Sequence, residues 1–238
     1  LKMQPRDRLV IATKAYYPMS EDPNARGLSR KHLLSSIDSS LSRLGTDYVD
    51  LFVIHAFDTG TPIEETMEAL HDIQKAGKVR YLGASTMYAW QFEKMNHIAR
   101  INRWTPFINM QCQYNLLYRE EEREMIPYCL DRGVAVTAFS PLARGWLSAS
   151  NNVRAATDWA YQAFHGDALD LEIIQVVERI ANELNVSMAE VALAWLYSRD
   201  AVDCSIIGAS SAEQIEKNVK ALDLDLGAQH LDALDNMY

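Results

Sequence analysis

The side chains able to hold charge, carry a proton or orient a ligand fall at recurring places in this sequence. Lys14 closes the run Leu9-Val10-Ile11-Ala12-Thr13-Lys14, and His55 closes Val49-Asp50-Leu51-Phe52-Val53-Ile54-His55. Ser85 and Thr86 end a run that starts at Val79. Gln111 ends Phe107-Ile108-Asn109-Met110-Gln111, Ser140 ends a run from Val134, and Gly208 to Ser211 follow Cys204-Ser205-Ile206-Ile207. In parallel α/β folds, chemistry gathers at the carboxyl ends of the strands. Each residue alone has a plainer reading. A lysine closing a strand is ordinarily a solvated end, and a histidine there a satisfied structural side chain. Gln111 could pair with a neighbouring backbone group, and Ser140 before Pro141 fits turn chemistry. Six such places at six strand ends weigh differently, because all would face one mouth.

The elements that must position these residues are readable. Several of the six runs are almost continuously apolar, as parallel strands covered on both faces should be. Between them lie helical patterns. Ser29 caps a segment in which Leu33, Leu34, Ile37, Leu41 and Leu44 recur at 3–4 spacing, with Gly45 as its stop. Pro62 opens the next, with Ile63, Met67, Leu70 and Ile73 on one face and Gly77 at its end. Further helices are expected over Glu120 to Leu130, Leu171 to Leu184, Met188 to Tyr197 and Ala212 to Leu222. Ser187 with Glu190 forms a capping box. Six strand–helix units in series imply parallel strands joined by right-handed crossovers.

The chain has 238 residues, of which 48% are hydrophobic and 23% charged, enough for a full core in a single domain over residues 1–238. The net charge of -9 repels phosphate backbones, so no nucleic-acid partner is expected. No apolar run reaches the roughly 20 residues that span a bilayer. Cys112, Cys129 and Cys204 suit neither a disulfide framework nor a metal site, and no signal segment is visible, so a cytoplasmic protein is expected. A closed barrel needs eight units. Leu1-Lys2-Met3 reads like the tail of a helix already under way, so two further units, about 60 to 70 residues at one βαβ repeat each, would precede Leu1. The alternative, an open doubly wound sheet, lacks a GxGxxG fingerprint after any strand.

The sequence resembles the aldo-keto reductases, in particular their aryl-alcohol-dehydrogenase-like branch, over nearly its whole length and in family order. The resemblance is carried by Val10-Ile11-Ala12-Thr13-Lys14, by Leu44-Gly45-Thr46-Asp47-Tyr48-Val49-Asp50-Leu51 running on to Ile54-His55, and by Gly77-Lys78-Val79-Arg80-Tyr81-Leu82-Gly83-Ala84-Ser85. It continues through Gln111-Cys112-Gln113-Tyr114-Asn115-Leu116-Leu117, Phe139-Ser140-Pro141-Leu142-Ala143-Arg144-Gly145 and Ile207-Gly208-Ala209-Ser210-Ser211-Ala212-Glu213-Gln214. It implies a (β/α)8 TIM barrel, of which six units lie in this chain. It also implies an oxidoreductase that passes hydride from NADPH to an aldehyde or ketone, with a small carbonyl compound as its partner. Lys14 matches the family's lysine and His55 its histidine, which polarises or orients the carbonyl. The family's aspartate and tyrosine lie on and just after a strand that this sequence does not contain. Tyr16 and Tyr17 are the nearby substitutes, but the family places its acid on another loop.

The cofactor positions follow by the same resemblance. Ser85 and Gln111 match the contacts to the nicotinamide carboxamide, and Thr86 stands where many members have asparagine. Phe139 matches the ring that stacks on the nicotinamide. Ser140, Leu142, Arg144 and Gly145 match the loop crossing the pyrophosphate. Gly208, Ala209 and Ser210 precede a helix whose N–H groups suit the adenosine phosphate, and Gln214 and Asn218 match the adenosine-end contacts. Many members carry arginine at the place of Gln214, so NADPH is expected ahead of NADH on the family's habit rather than on this residue. No metal is expected.

Met87, Tyr88 and Trp90 follow a strand end and would line the mouth. Trp146 to Phe164 would close over cofactor and substrate and suit a flat aromatic carbonyl. Glu120, Glu121, Glu122 and Glu124 read as a solvated first helical turn, and Cys112 as a small buried hydrophobe. Two other readings compete: a nicotinamide-binding regulatory subunit with little turnover, and a truncated pseudo-enzyme. Subunit number is left open.

Overall fold

The computed structural model describes residues 4–148 and 165–238. The fold is α/β. Six strands follow one another in chain order through one sheet: β1 (Ala12–Ala15), β2 (Val49–Ile54), β3 (Val79–Ser85), β4 (Phe107–Gln113), β5 (Ala135–Phe139) and β6 (Val202–Ile206). The pairings β1–β2, β2–β3, β3–β4 and β5–β6 are parallel. Among the described residues there are eight α-helices: α1 (Arg30–Leu44), α2 (Ile63–Lys75), α3 (Ala89–Ile101), α4 (Met125–Arg132), α5 (Ala168–Leu184), α6 (Met188–Tyr197), α7 (Ala212–Lys220) and α8 (Gly227–Asp235). The chain divides into two compact units, one of residues 1–111 and 128–135, the other of 112–127 and 136–238.

In the first unit, Phe52, Val53, Ile54, Leu82 and Met110 of the strands are buried, as are Leu33 and Ile37 of α1 and Met67, Leu70 and Ile73 of α2. Each such side chain contributes roughly 1.5–3 kcal/mol through burial. Helix α1 begins where Ser29 Oγ accepts from His32 N and ends at Gly45 in the left-handed region, φ 65°. Helix α3 is absent from the expectations above. It has no Ser, Thr, Asp or Asn at its start; instead Tyr88 N donates to Gln91 Oε1. Its buried face, Phe92, Met95, Ile98 and Ala99, was the available signal. Buried Asn96 breaks that pattern, and its Oδ1 accepts from Phe107 N at 2.8 Å, aligning β4.

Strand β1 starts later than expected. Leu9, Val10 and Ile11 lie outside it, and Val10 is exposed. Ile11 N donates to the Asp50 carboxylate, which also takes the Arg6 guanidinium at 2.7 Å. The Arg6 and Arg80 guanidinium carbons lie 3.9 and 4.1 Å from the centre of the Tyr48 ring.

In the second unit, Ile173, Val177 and Ile180 of α5 are buried, with Val191, Leu193, Trp195 and Leu196 of α6. Ser187 and Glu190 form the expected capping box. Strand β6 lies two residues earlier than expected and is not covered on both faces, with Ile206 exposed. The helix expected from Glu120 begins only at Met125, after a 3-10 turn over Glu120–Glu122. Pro127 explains the shift: proline lacks the amide hydrogen and is tolerated only in a first helical turn. The glutamates are not one solvated face. Glu122 accepts from Tyr114 Oη and Arg119, Glu120 accepts from Arg123 and Tyr238, and burial raises the Glu121 carboxyl to about 7. Asp235 of α8 accepts from Trp195 Nε1 and Arg199, and its carbonyl accepts from Arg119.

Candidate active site

The parallel register carries β1, β2, β3 and β4 to one level at their carboxyl ends. Lys14 is opposite Val53, His55 N donates to Ala15 O at 3.0 Å, and Ser85 is opposite Gln111. Lys14 and His55 both line a cavity of about 410 Å³, together with Tyr16, Tyr17, Lys31 and Arg43. Partial burial holds the Lys14 ammonium below the ordinary lysine range. Burial, and then the charge of Lys14, push the His55 imidazole below the ordinary histidine range. The two expected residues therefore converge and feel each other. Among the described residues no carboxylate lies within ion-pair distance of Lys14. Neither ring nitrogen of His55 has a hydrogen-bond partner among them.

Ser85 and Gln111 are neighbours on β3 and β4 and lie outside the lining of that cavity. Both are buried, and Gln111 Oε1 has no hydrogen-bond partner among the described residues. A buried amide oxygen left so is costly, and a ligand N–H would satisfy it. Thr86 sits in the left-handed region at φ 51°, a strained place for a β-branched residue, with its hydroxyl 3.2 Å from Ser85 Oγ. Asparagine would tolerate that backbone better.

In the second unit, Phe139 ends β5 and is half-buried. The turn after it holds Ser140, Ala143, Arg144 and Gly145 at positive φ. Ala143 N donates to Ser140 O and Gly145 N to Leu142 O, while Asn115 Nδ2 braces the Ser140 carbonyl at 2.9 Å. Sequence reasoning missed that brace, which only the fold reveals. Gly208, Ala209 and Ser210 are exposed before α7. Ser210 N donates to Gln214 Oε1 at 2.8 Å, and Ser210 Oγ donates to the same oxygen, so two residues assigned to the adenosine end bond each other. Asn218 is buried on α7.

Of the residues expected to line the mouth, Tyr88 and Trp90 are exposed, and Trp90 pairs with Phe57 at 6.3 Å between ring centres. The rest of the closing segment, residues 149–164, lies outside the described residues. Sequence reasoning also missed Asp58, although Asp58-Thr59-Gly60 is a turn signature. Among the described residues no group of His, Cys, Asp or Glu could hold a metal ion, and no helix is long and apolar enough to cross a membrane. Cys112 and Cys129 are buried and Cys204 is exposed, and no disulfide joins them.

Residues 1–238 match the model of the aldo/keto reductase family. Versiconal hemiacetal acetate reductase of Aspergillus parasiticus is 39% identical over 259 residues, covering 98% of this chain and 75% of the relative. Aldo-keto reductase AMT2 of Alternaria alternata is 41% identical over 98% of this chain and 71% of its own length. A Schizosaccharomyces pombe protein provisionally named aryl-alcohol dehydrogenase C977.14c is 38% identical over 98% of this chain and 73% of its own.

Proposed function

The chain belongs to the aldo/keto reductase family, and from that premise we propose that it reduces aldehydes or ketones, aryl ones foremost, to alcohols with hydride from NADPH and a proton drawn in the end from solvent. It is an oxidoreductase of a (β/α)8 barrel family, and residues 1–238 are taken as one domain because the family model matches that span. The observation that carries the proposal is the convergence of Lys14 and His55 on one cavity.

When bound, the nicotinamide supplies hydride to the carbonyl carbon. Ser85 and Gln111 hold its carboxamide, and the unpartnered Gln111 oxygen fits that amide. Phe139 is assigned to the nicotinamide face. Ser140, Leu142, Arg144 and Gly145 are assigned to the pyrophosphate, and Gly208, Ala209, Ser210, Gln214 and Asn218 to the adenosine end. Preference for NADPH over NADH rests on the family, since Gln214 brings no cation to a 2′-phosphate. His55 is neutral at pH 7 and orients the carbonyl oxygen with a ring nitrogen. The half-buried Lys14 ammonium favours negative charge on that oxygen. The exposed rings of Tyr17, Tyr88 and Trp90 offer flat apolar surface to an aryl group.

The test follows NADPH consumption with an aromatic aldehyde. Lys14→Met and His55→Ala should each lower turnover by about 10²- to 10⁴-fold. Wild-type rates in both variants would refute the roles. A second reading, a nicotinamide-binding subunit with little turnover, draws on the lack of a carboxylate partner for Lys14 among the described residues. Tight NADPH binding without aldehyde-dependent consumption would favour it.

A further inference from the structure

His55 poses a problem of orientation. Its backbone is fixed by the bond from His55 N to Ala15 O, but its ring has no hydrogen bond among the described residues. What touches the ring is Tyr17, edge-on, with ring centres 4.8 Å apart and planes 78° from parallel. Tyr17 is 52% exposed, so burial does not hold it in place. Its loop must do so, and three hydrogen bonds hold that loop, one of them from outside it. Gly27 N donates to Tyr16 O at 2.7 Å, Met19 N donates to Ala25 O at 3.0 Å, and Leu28 N donates to Asp58 Oδ2 at 2.7 Å. The same carboxylate takes Thr61 Oγ1 and Gly60 N, each at 2.8 Å. Gly27 lies so close to it, at φ +78°, that an added Cβ would come within 2.9 Å of Asp58 Oδ2.

We propose that Asp58 is a positioning residue: it clasps the 16–28 loop so that the Tyr17 ring buttresses the His55 imidazole. Asp58 lies three residues beyond His55, so one segment carries both the imidazole and the clasp. A shift of either drags the loop with it. Burial opposes the Asp58 charge, but the hydrogen bonds from Leu28, Gly60 and Thr61 outweigh it and hold the carboxyl below the ordinary range. A group depressed in this way gives its stabilisation above its unfolded pKa of about 3.9 and loses it only as pH falls through the folded value. The clasp is thus closed at neutral pH. The ionisable groups that line the cavity with His55 are Lys14 on β1, Tyr16, Tyr17 and Asp22 on the loop, and Lys31, His32 and Arg43 on α1.

The inference rests on the role given to His55 above, and its test separates the two. The His55 ring signals, identified among the six histidines by their loss in His55→Ala, are titrated by NMR. Wild-type His55 should titrate below the ordinary histidine range. Tyr17→Ala and Asp58→Ala should admit water to the ring and raise its midpoint by similar amounts. The double variant should raise it no further, and Tyr17→Phe should leave it in place. A wild-type midpoint in Tyr17→Ala, whose exposed side chain is safe to remove, overturns the inference even if Asp58→Ala does not fold. Additive shifts in the double variant overturn the clasp. Turnover that survives His55→Ala defeats the reading of His55 while leaving the titration result standing.

Discussion

The two ends of β1 and β2 treat charge in opposite ways. At the amino ends, Arg6 meets Asp50 at 2.7 Å, and Arg6 and Arg80 both lie against the Tyr48 ring. At the carboxyl ends, Lys14 has no carboxylate within reach among the described residues, and its field falls on His55 instead. Charges that answer one another hold a fold together. A charge kept from its partner is available to a ligand, at some cost in stability.

The contrast breaks if both ends respond alike. The largest expected effect is at the carboxyl end: Lys14→Met should lower kcat by about 10²- to 10⁴-fold while leaving the thermal midpoint unchanged or raised, since a half-buried cation is removed. Asp50→Ala should do the reverse. It orphans Ile11 N and Arg6, so urea unfolding should show a loss of about 2–3 kcal/mol with kcat per folded molecule retained. Burial opposes the Asp50 charge, but Ile11, Arg6 and Arg80 outweigh it and hold the carboxyl low. Its contribution is therefore present above about pH 4 and lost as pH falls through the depressed value. Between pH 6 and pH 3 the wild type should lose more stability than Asp50→Asn. In the second unit the same logic concerns a cation that is lacking. Gln214→Arg should free Ser210 N and shift the NADPH-to-NADH ratio of kcat/KM toward NADPH by about tenfold, one ion pair's worth. Smallest, Tyr48→Leu should cost about 1 kcal/mol, the two cation–π contacts being partly solvated.

Where local chemistry dictates local structure, the sequence was legible. Ser29 and Gly45 bound α1, Ser187 and Glu190 start α6, and β3 spans Val79–Ser85 as its apolar run implies. The places of Lys14 and His55 were legible for the same reason, one near the end of β1 and the other just after β2. The failures lie where another residue overrides the local pattern. Ile11 looks like strand, but its amide goes to Asp50; Glu120 looks like a helix start, but Pro127 sets the beginning at Met125. Asp58 reaching back to Leu28 and Asn115 bracing Ser140 are contacts between residues whose nearness only the folded chain creates, whereas Gln214 claiming Ser210 N is a local bond at a helix start that the sequence reading overlooked.

The knot around Asp235 has a consequence for how the protein is made. Arg119 reaches the Asp235 backbone carbonyl across 116 positions of sequence, and Trp195 and Arg199 close on the carboxylate of the same residue. Contacts so far apart must wait for the ribosome to finish the intervening chain, and they pay loop closure before any reward. Until Asp235 emerges, Arg119 and the indole of Trp195 lack this anchor. The second unit of the nascent polypeptide thus stays without this anchor until its last helix has been made.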